Sequence, residues 1–383
     1  MPEFRSSEYA RFAALLPELA AIVVRRDNSP KRMASVGVRL GGLLAWGVEQ
    51  ARYSSELTGP EITEACRVEP FRPVPPVPGG DFTVDAAEIQ QHSAAMARFK
   101  VVGRSSEPLE LLVSHSTAKK AITVDGMIAH KLIRLIHNHP RRISGTDLAS
   151  LFHMVALMAA EESDLSEEAD GLQLGVGSTW LNAPSVVMRG DQFLLETALE
   201  GCRAEDLPAD RRESAYRHAV LNWARMLLQD GILHTFLRRD QIRFHGNNIG
   251  VTRWAGTYRP GPAVQAFVPS LAWAAFGPSV ADRARQRSRL LGLLAHGLGI
   301  TGSLEDLADL CLALISQGGP LQVARPLMPG LFIRQQQVAA PDRTGLTRLL
   351  RQLVWFRDLG LACGVADLAL PWRELAHEVG SWL

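Results

Sequence analysis

The sequence predicts a mixed α+β fold, which a two-lobed arrangement behind a helical first stretch suits, as would many others. Two observations carry this prediction. Helix-periodic stretches are interleaved with small strand sets, in the order helices, strands, helices, two strands, a helix, a hairpin and a helical tail. A connector dense in proline and glycine, Phe71 to Asp81, separates the first helical stretch from the rest, because four prolines and two glycines cannot continue a helix. The expected boundaries are residues 1–78 for the extension, 79–200 for a strand-bearing lobe with inserted helices, and 201–383 for a helical lobe.

Each element follows from local pattern. Between Glu8 and Val68, Phe12, Leu15, Leu16 and Leu19 share a helix face, as do Val38, Leu40, Leu43 and Leu44. From Phe82 to Val113 the signals are strand-like. The apolar-rich runs ARFKVVG and LELLVSH, joined by a polar loop from Gly103 to Pro108, read as a hairpin. Ala118 to Leu172 is helical again. Two further strands flank Arg189-Gly190-Asp191, and Ala215 to Gln229 is an apolar-periodic helix. Gln241 to Trp254 reads as a second hairpin, because Gly246-Asn247-Asn248 tolerates positive φ. After Pro278 the pattern is helical, including a segment opened by Ser303 as an N-cap with acidic residues in its first turn.

Composition narrows the function classes. Hydrophobic residues at 46% and charged residues at 21% suit a globular chain and exclude a disordered one. Lys and Arg total 41 against 40 Asp and Glu, so bulk charge gives no attraction to nucleic acid. The four cysteines, Cys66, Cys202, Cys311 and Cys363, form neither a CxxC pair nor a disulfide framework, which fits a reducing cytosol. The charged start MPEFRSSEYARF does not read as a signal peptide, and no apolar run reaches the length of a membrane span. The expected location is the cytoplasm.

Four segments, in order and at compatible distances, carry a family resemblance. EESDLSEEADGL (Glu161 to Leu172) holds an acidic pair, Glu162 and Asp164, before an E-A-x-x-L helix start. LLETALEGCRAEDL (Leu194 to Leu207) reads as a strand, an acidic-Gly turn and a helix start. LNWARMLLQDGILH (Leu221 to His234) ends a helix in D-G-x-x-H. TRLLRQLVWFRDLGLACGVADLAL (Thr347 to Leu370) has an R-x-L helix followed by D-L. Together they resemble the UbiB/AarF-like family of atypical kinases over nearly the whole chain from about Ser35. That resemblance implies a bilobal protein-kinase-like fold with an N-terminal helical extension. It also implies an ATP site and a role in quinone or other isoprenoid-lipid biosynthesis.

Phosphoryl transfer in such a fold needs a strand lysine on the phosphates, a catalytic-loop Asp, and an Asn and an Asp on magnesium. In the family register the strand lysine becomes Leu112, the loop Asp becomes Phe236 and the loop Asn becomes Gln241. The D-F-G segment becomes Arg253-Trp254-Ala255, and an Arg repels the metal that a carboxylate would hold. A second register aligns FHGNNIGV with the loop and makes Asn248 the metal ligand, leaving no D-F-G equivalent. Either way the chain reads as a pseudokinase, and no cofactor is assigned. Asp240, the one carboxylate between Gly231 and Gly246, and the acidic pair Glu162 and Asp164 are the candidates for a rewired enzyme that still uses ATP with an altered metal geometry.

The family's extension motif K-x-G-Q matches Arg39-Leu40-Gly41-Gly42. The resemblance implies that Arg39 meets Glu162 as a bidentate pair. The alternative for Glu162 and Asp164 is a pair of helix-surface charges. Ser93-Ala94-Ala95 stands where the family has its nucleotide loop, or else is small-residue packing in a turn. Other groupings favour bland roles. His137-Asn138-His139-Pro140 reads as a solvated turn rather than a metal site. Ser178 lacks a nucleophile elbow. The basic run Arg283 to Arg289 reads as a solvated helix face before a phosphate-binding one. The expected partner is a protein, with a lipid or isoprenoid ligand as a second class and at most peripheral membrane contact. A helical interaction module with no nucleotide pocket is the third reading.

Overall fold

Alternation along the strands builds a sheet with one greasy face and one charged face. In the computed structural model, which describes residues 10–14, 17, 82–92, 96–102, 108–114, 118–137, 158–298, 304–316 and 345–380, five strands form it. They are β1 (Thr83–His92), β2 (Met96–Val102), β3 (Leu109–Ser114), β4 (Val186–Arg189) and β5 (Phe193–Thr197), ordered β1-β2-β3-β5-β4 with every pair antiparallel. Side chains two apart share a face. Ala97, Phe99 and Val101 of β2 therefore join Leu109, Leu111 and Val113 of β3 and Phe193 and Leu195 of β5 in one apolar core. The opposite face of the same strands carries Arg98, Glu110, Leu112, Leu194 and Glu196. The β4–β5 turn falls at Gly190, whose N–H donates to the Phe193 carbonyl at 2.9 Å.

Between β3 and β4 lie α1 (Ala118–His137), residues 158–162 in helical conformation, and α2 (Leu165–Val176). Asp125 on α1 is buried and takes a two-pronged ion pair from Arg11, with contacts of 2.6 and 2.8 Å.

The remaining elements are mostly helical: α3 (Ala209–Arg225), α4 (Pro262–Phe276), α5 (Val280–Gly292), α6 (Leu304–Ser316), α7 (Gly345–Ala362) and α8 (Leu370–Gly380), with the hairpin β6 (Ile242–His245) and β7 (Asn248–Val251) among them. The chain is thus mixed α+β, helix-rich, with a small antiparallel sheet. It divides into two compact units. One is Met1–Arg142, Leu151–Ala169 and Ser185–Ala198; the other is Ile143–Ser150, Asp170–Pro184 and Leu199–Leu383. Among the described residues, no helix is long and apolar enough to cross a membrane.

In the helix-rich unit, α3 supplies a buried stripe of Ala215, Tyr216, Ala219, Val220 and Trp223. Trp223 meets Phe356 of α7 edge-on at 5.0 Å, and Phe356 meets Trp372 of α8 at 6.2 Å. The Tyr216 hydroxyl donates to the Leu368 carbonyl at 2.9 Å, which satisfies its polar end within the core. The helix predicted to run regularly to Gln229 leaves α geometry at Met226. Residues Met226–Asp230 form a π turn closed by Gly231 at φ 64°. The hairpin turn is made by Gly246 and Asn247, with Gly246 at φ 60°. Asn182 anchors the hairpin, donating to the Ile249 carbonyl and accepting from the Val251 N–H, at 2.8 and 2.9 Å.

Candidate functional site

The chain leaving the π turn runs directly into the segment expected to hold the loop residues. His234 is fully buried. Its Nδ1 accepts from the Phe236 backbone N–H at 3.2 Å, which an N–H can only donate. The ring proton therefore sits on Nε2, which donates to the Arg253 carbonyl at 2.7 Å. Burial pushes the imidazole down to about 4, against the pull of that carbonyl, so the ring is neutral near pH 7. Trp254 stands edge-on to it at 4.7 Å, and the Trp223 indole N–H donates to the His234 carbonyl at 2.8 Å. His234, which ends the D-G-x-x-H match, and Arg253, which the family register sets at the start of D-F-G, are thus joined by a hydrogen bond.

Trp254 is seated by two glycines. A Cβ placed on Gly171 would lie 2.0 Å from the Trp254 carbonyl oxygen, and one on Gly175 would lie 2.6 Å from its ring. Only glycine at these two positions of α2 admits the tryptophan that closely.

Phe236 is a packed aromatic. Its ring meets Trp355 edge-on at 5.5 Å, and the guanidinium groups of Arg238 and Arg253 lie 5.0 and 5.2 Å from its centroid. Asp240 is committed to structure: Arg238 Nε and Nη2 donate to its two oxygens at 2.9 Å each, both side chains buried. Gln241 Nε2 donates to Asp240 Oδ2 at 3.2 Å, and Gln241 Oε1 accepts from the Thr252 hydroxyl at 2.6 Å. Asn248 is exposed beside the hairpin turn. Among the described residues, no group of three or more His, Cys, Asp or Glu is arranged to hold a metal ion.

In the sheet unit Leu112 is buried on β3. Directly opposite it on β2 stands Arg98, also buried, a residue that the sequence reading passed over. Arg98 Nη1 donates to Glu110 Oε2 at 2.6 Å and to Glu196 Oε1. Burial alone would lower the guanidinium's pKa, but Glu196, Glu110 and Glu168 more than reverse it, so Arg98 is firmly charged. Burial pushes Glu196 up to about 7, against Arg98, with Glu168 and Glu110 adding to the rise. The signal for this cluster was present as charges inside apolar strand runs, at Arg98, Glu110 and Glu196, but nothing in one strand names its partners in the others.

The acidic pair divides. Glu162 is buried, whereas Asp164 starts α2: its Oδ1 accepts from the Ser166 N–H at 3.0 Å and its carbonyl from the Glu168 N–H at 3.0 Å. Glu168, in the matched E-A-x-x-L segment, is fully buried. Arg39, Ser93, Ala94 and Ala95 lie outside the described residues. Ser178 donates to Asp230 Oδ2 at 2.9 Å. In the basic run, Arg283 donates to the Gly277 carbonyl at 2.7 Å, and Arg287 pairs with Glu305 and Asp309 at 2.8 and 2.5 Å.

No protein-family model matches the chain. No curated protein matches it either. Among solved structures it is similar to Rv3197 from Mycobacterium tuberculosis, solved in complex with erythromycin. The identity is 12% over 98% of this chain and 95% of that one, with a TM-score of 0.49. It is also similar to the MAP kinase LmaMPK10 from Leishmania major, at 14% identity over 79% of this chain and 95% of that one, with a TM-score of 0.24. At these levels neither likeness bears on function.

Proposed function

We propose that the chain is a pseudokinase of UbiB/AarF-like type, a non-catalytic binding or scaffold protein that supports quinone or other isoprenoid-lipid biosynthesis through a protein partner. The observation that carries the first half of this reading is the fate of Asp240. Both oxygens of Asp240 accept from the buried Arg238 guanidinium, which engages the carboxylate with a fixed cation and so weakens its hold on magnesium or a substrate proton. Arg253 adds a fixed positive charge where the family register needs a magnesium ligand, and Phe236 and Leu112 contribute no charge at all. Electrostatic stabilisation of the transferring phosphoryl group is the main work of such an enzyme, so these replacements remove most of it. The second half, the biosynthetic setting, rests on the motif resemblance.

The test is the thermal stability of the purified protein with ATP or ADP, each with and without Mg²⁺, because a ligand that binds the native state raises its melting temperature. The expected result is no magnesium-dependent shift. A magnesium-dependent rise of several degrees, accompanied by ATP hydrolysis, would overturn the reading in favour of a rewired enzyme.

A further inference from the structure

The basic run of α5 is only half used within the chain. Arg283 donates to the Gly277 carbonyl, and Arg287 holds two carboxylates of α6, Glu305 and Asp309. Arg285 and Arg289 are exposed, and neither makes a hydrogen bond or ion pair among the described residues. Four residues apart, they are neighbours on one helix face, with Cβ atoms about 5–6 Å from each other. The opposite face is the packed one, where Gln286 and Leu290 are buried as α5 lies against α4. Like charges at this spacing destabilise a helix slightly. Asp282, the acid of α5, does not offset them, because it is bonded to Ser279 at the helix start. The other residues of the outward face are short. Ala281, Ala284 and Ser288 are exposed, and a Cβ on Gly292 would meet nothing within 4 Å. No large side chain of α5 therefore stands between the two guanidinium groups and an approaching surface.

A helix face is convex and cannot enclose a small anion, so what it recognises comes on a surface of its own. The overall balance of 41 basic to 40 acidic residues gives no pull on a polyanion such as nucleic acid. What fits is a short, matched row of negative charge. The fold itself holds one example: Glu305 and Asp309, four residues apart on α6, meet an arginine of this same helix.

We propose that the Arg285–Arg289 face of α5 docks an acidic helix of a partner protein, one that carries Asp or Glu four residues apart. The proposal rests on the scaffold reading for there being a protein partner, and it gives that partner a chemistry and a place. Exposed ion pairs are individually weak, so this contact sets register and partner choice, and a single isolated helix binds it only in the millimolar range.

The test is NMR of the arginine side-chain Nε–H groups in the full chain labelled with ¹⁵N-arginine, at low salt. The probe is a capped, alanine-rich helical peptide with glutamates four residues apart; a peptide of the same composition with its glutamates dispersed around the helix serves as control. The resonances of Arg285 and Arg289, assigned from Arg285→Lys and Arg289→Lys, are expected to shift together and saturably. The dispersed peptide is expected to bind about fivefold more weakly, the worth of two exposed ion pairs. Binding is expected to be lost when both arginines become alanine, with the melting temperature unchanged, because both side chains are exposed. No shift of these two resonances, equal binding of the two peptides, or undiminished binding by the double variant would overturn the proposal. So would arginine-dependent sedimentation with phosphatidylglycerol vesicles in the absence of any response to the peptide, which assigns the face to a membrane. The titration contains no nucleotide, so its failure leaves the pseudokinase reading standing, while a magnesium-dependent nucleotide shift would sink that reading without moving these two resonances.

Discussion

At the scale of single residues, His234 shows how a backbone fixes a side chain's chemistry. An amide N–H on one ring nitrogen and a carbonyl on the other leave a single tautomer, and protonation would break the bond from Phe236. Nitrogen NMR of histidine-labelled protein is therefore expected to show one ring held as the neutral Nε2–H form from pH 7 down to about 5; a spectrum in which every ring charges near the ordinary histidine value would contradict this. His234 stood out in the sequence only as the end of the D-G-x-x-H match, and Arg253 only through the family register that aligns it with the start of D-F-G. The Arg98 cluster was not. Its members lie 12 residues apart for Arg98 and Glu110 and 98 apart for Arg98 and Glu196, and only the strand order β2-β3-β5 brings them together. Asp240 was visible as a lone carboxylate, but its value to any chemistry depended on Arg238, two residues away, whose role no spacing rule announces.

Among the elements, helix starts are where local chemistry is most explicit. Ser279 caps α5, accepting from the Asp282 N–H at 3.0 Å, with Asp282 itself in the first turn. Ser279→Ala is expected to lower stability by about 1 kcal/mol in chemical denaturation, and Ser279→Gly by only a few tenths. A cost near zero for alanine would mean that tertiary contacts, not the cap, hold this end. The hairpin β6–β7 could be read because its turn needs a left-handed residue and Gly246 advertises it, and β4 and β5 from the apolar runs on either side of Gly190. Helix α4 could not. Its sequence, PAVQAFVPSLAWAAF, is apolar nearly all round with a proline inside, so no 3.6-residue stripe stands out. The π turn after α3 was equally silent, since Met226–Asp230 differs from regular helix only in which carbonyl each N–H finds.

For the whole molecule, the two units carry buried ionisable groups that respond to pH in opposite senses. His234 is held below its ordinary value, so the helix-rich unit keeps that group's contribution above about pH 6.5 and loses it as pH falls towards 4, a difference of about 3 kcal/mol. Glu196 is held above its ordinary value, so the sheet unit loses support as pH rises through about 7. Hydrogen exchange followed by peptide, corrected for intrinsic rates, is expected to show residues 221–237 loosening on acidification and residues 96–102 and 108–114 loosening on alkalinisation. Both segments loosening together at either extreme would contradict this division. The socket that Gly171 and Gly175 make for Trp254 has a different kind of consequence, one for descent rather than for folding. At position 175 the obstacle is the indole ring, so a lineage that trades tryptophan for a smaller side chain becomes free to gain a methyl group there. At position 171 the obstacle is the main-chain oxygen of residue 254, which every amino acid carries. Drift at 175 is thus tied to drift at 254, whereas 171 stays glycine for as long as this backbone path is kept.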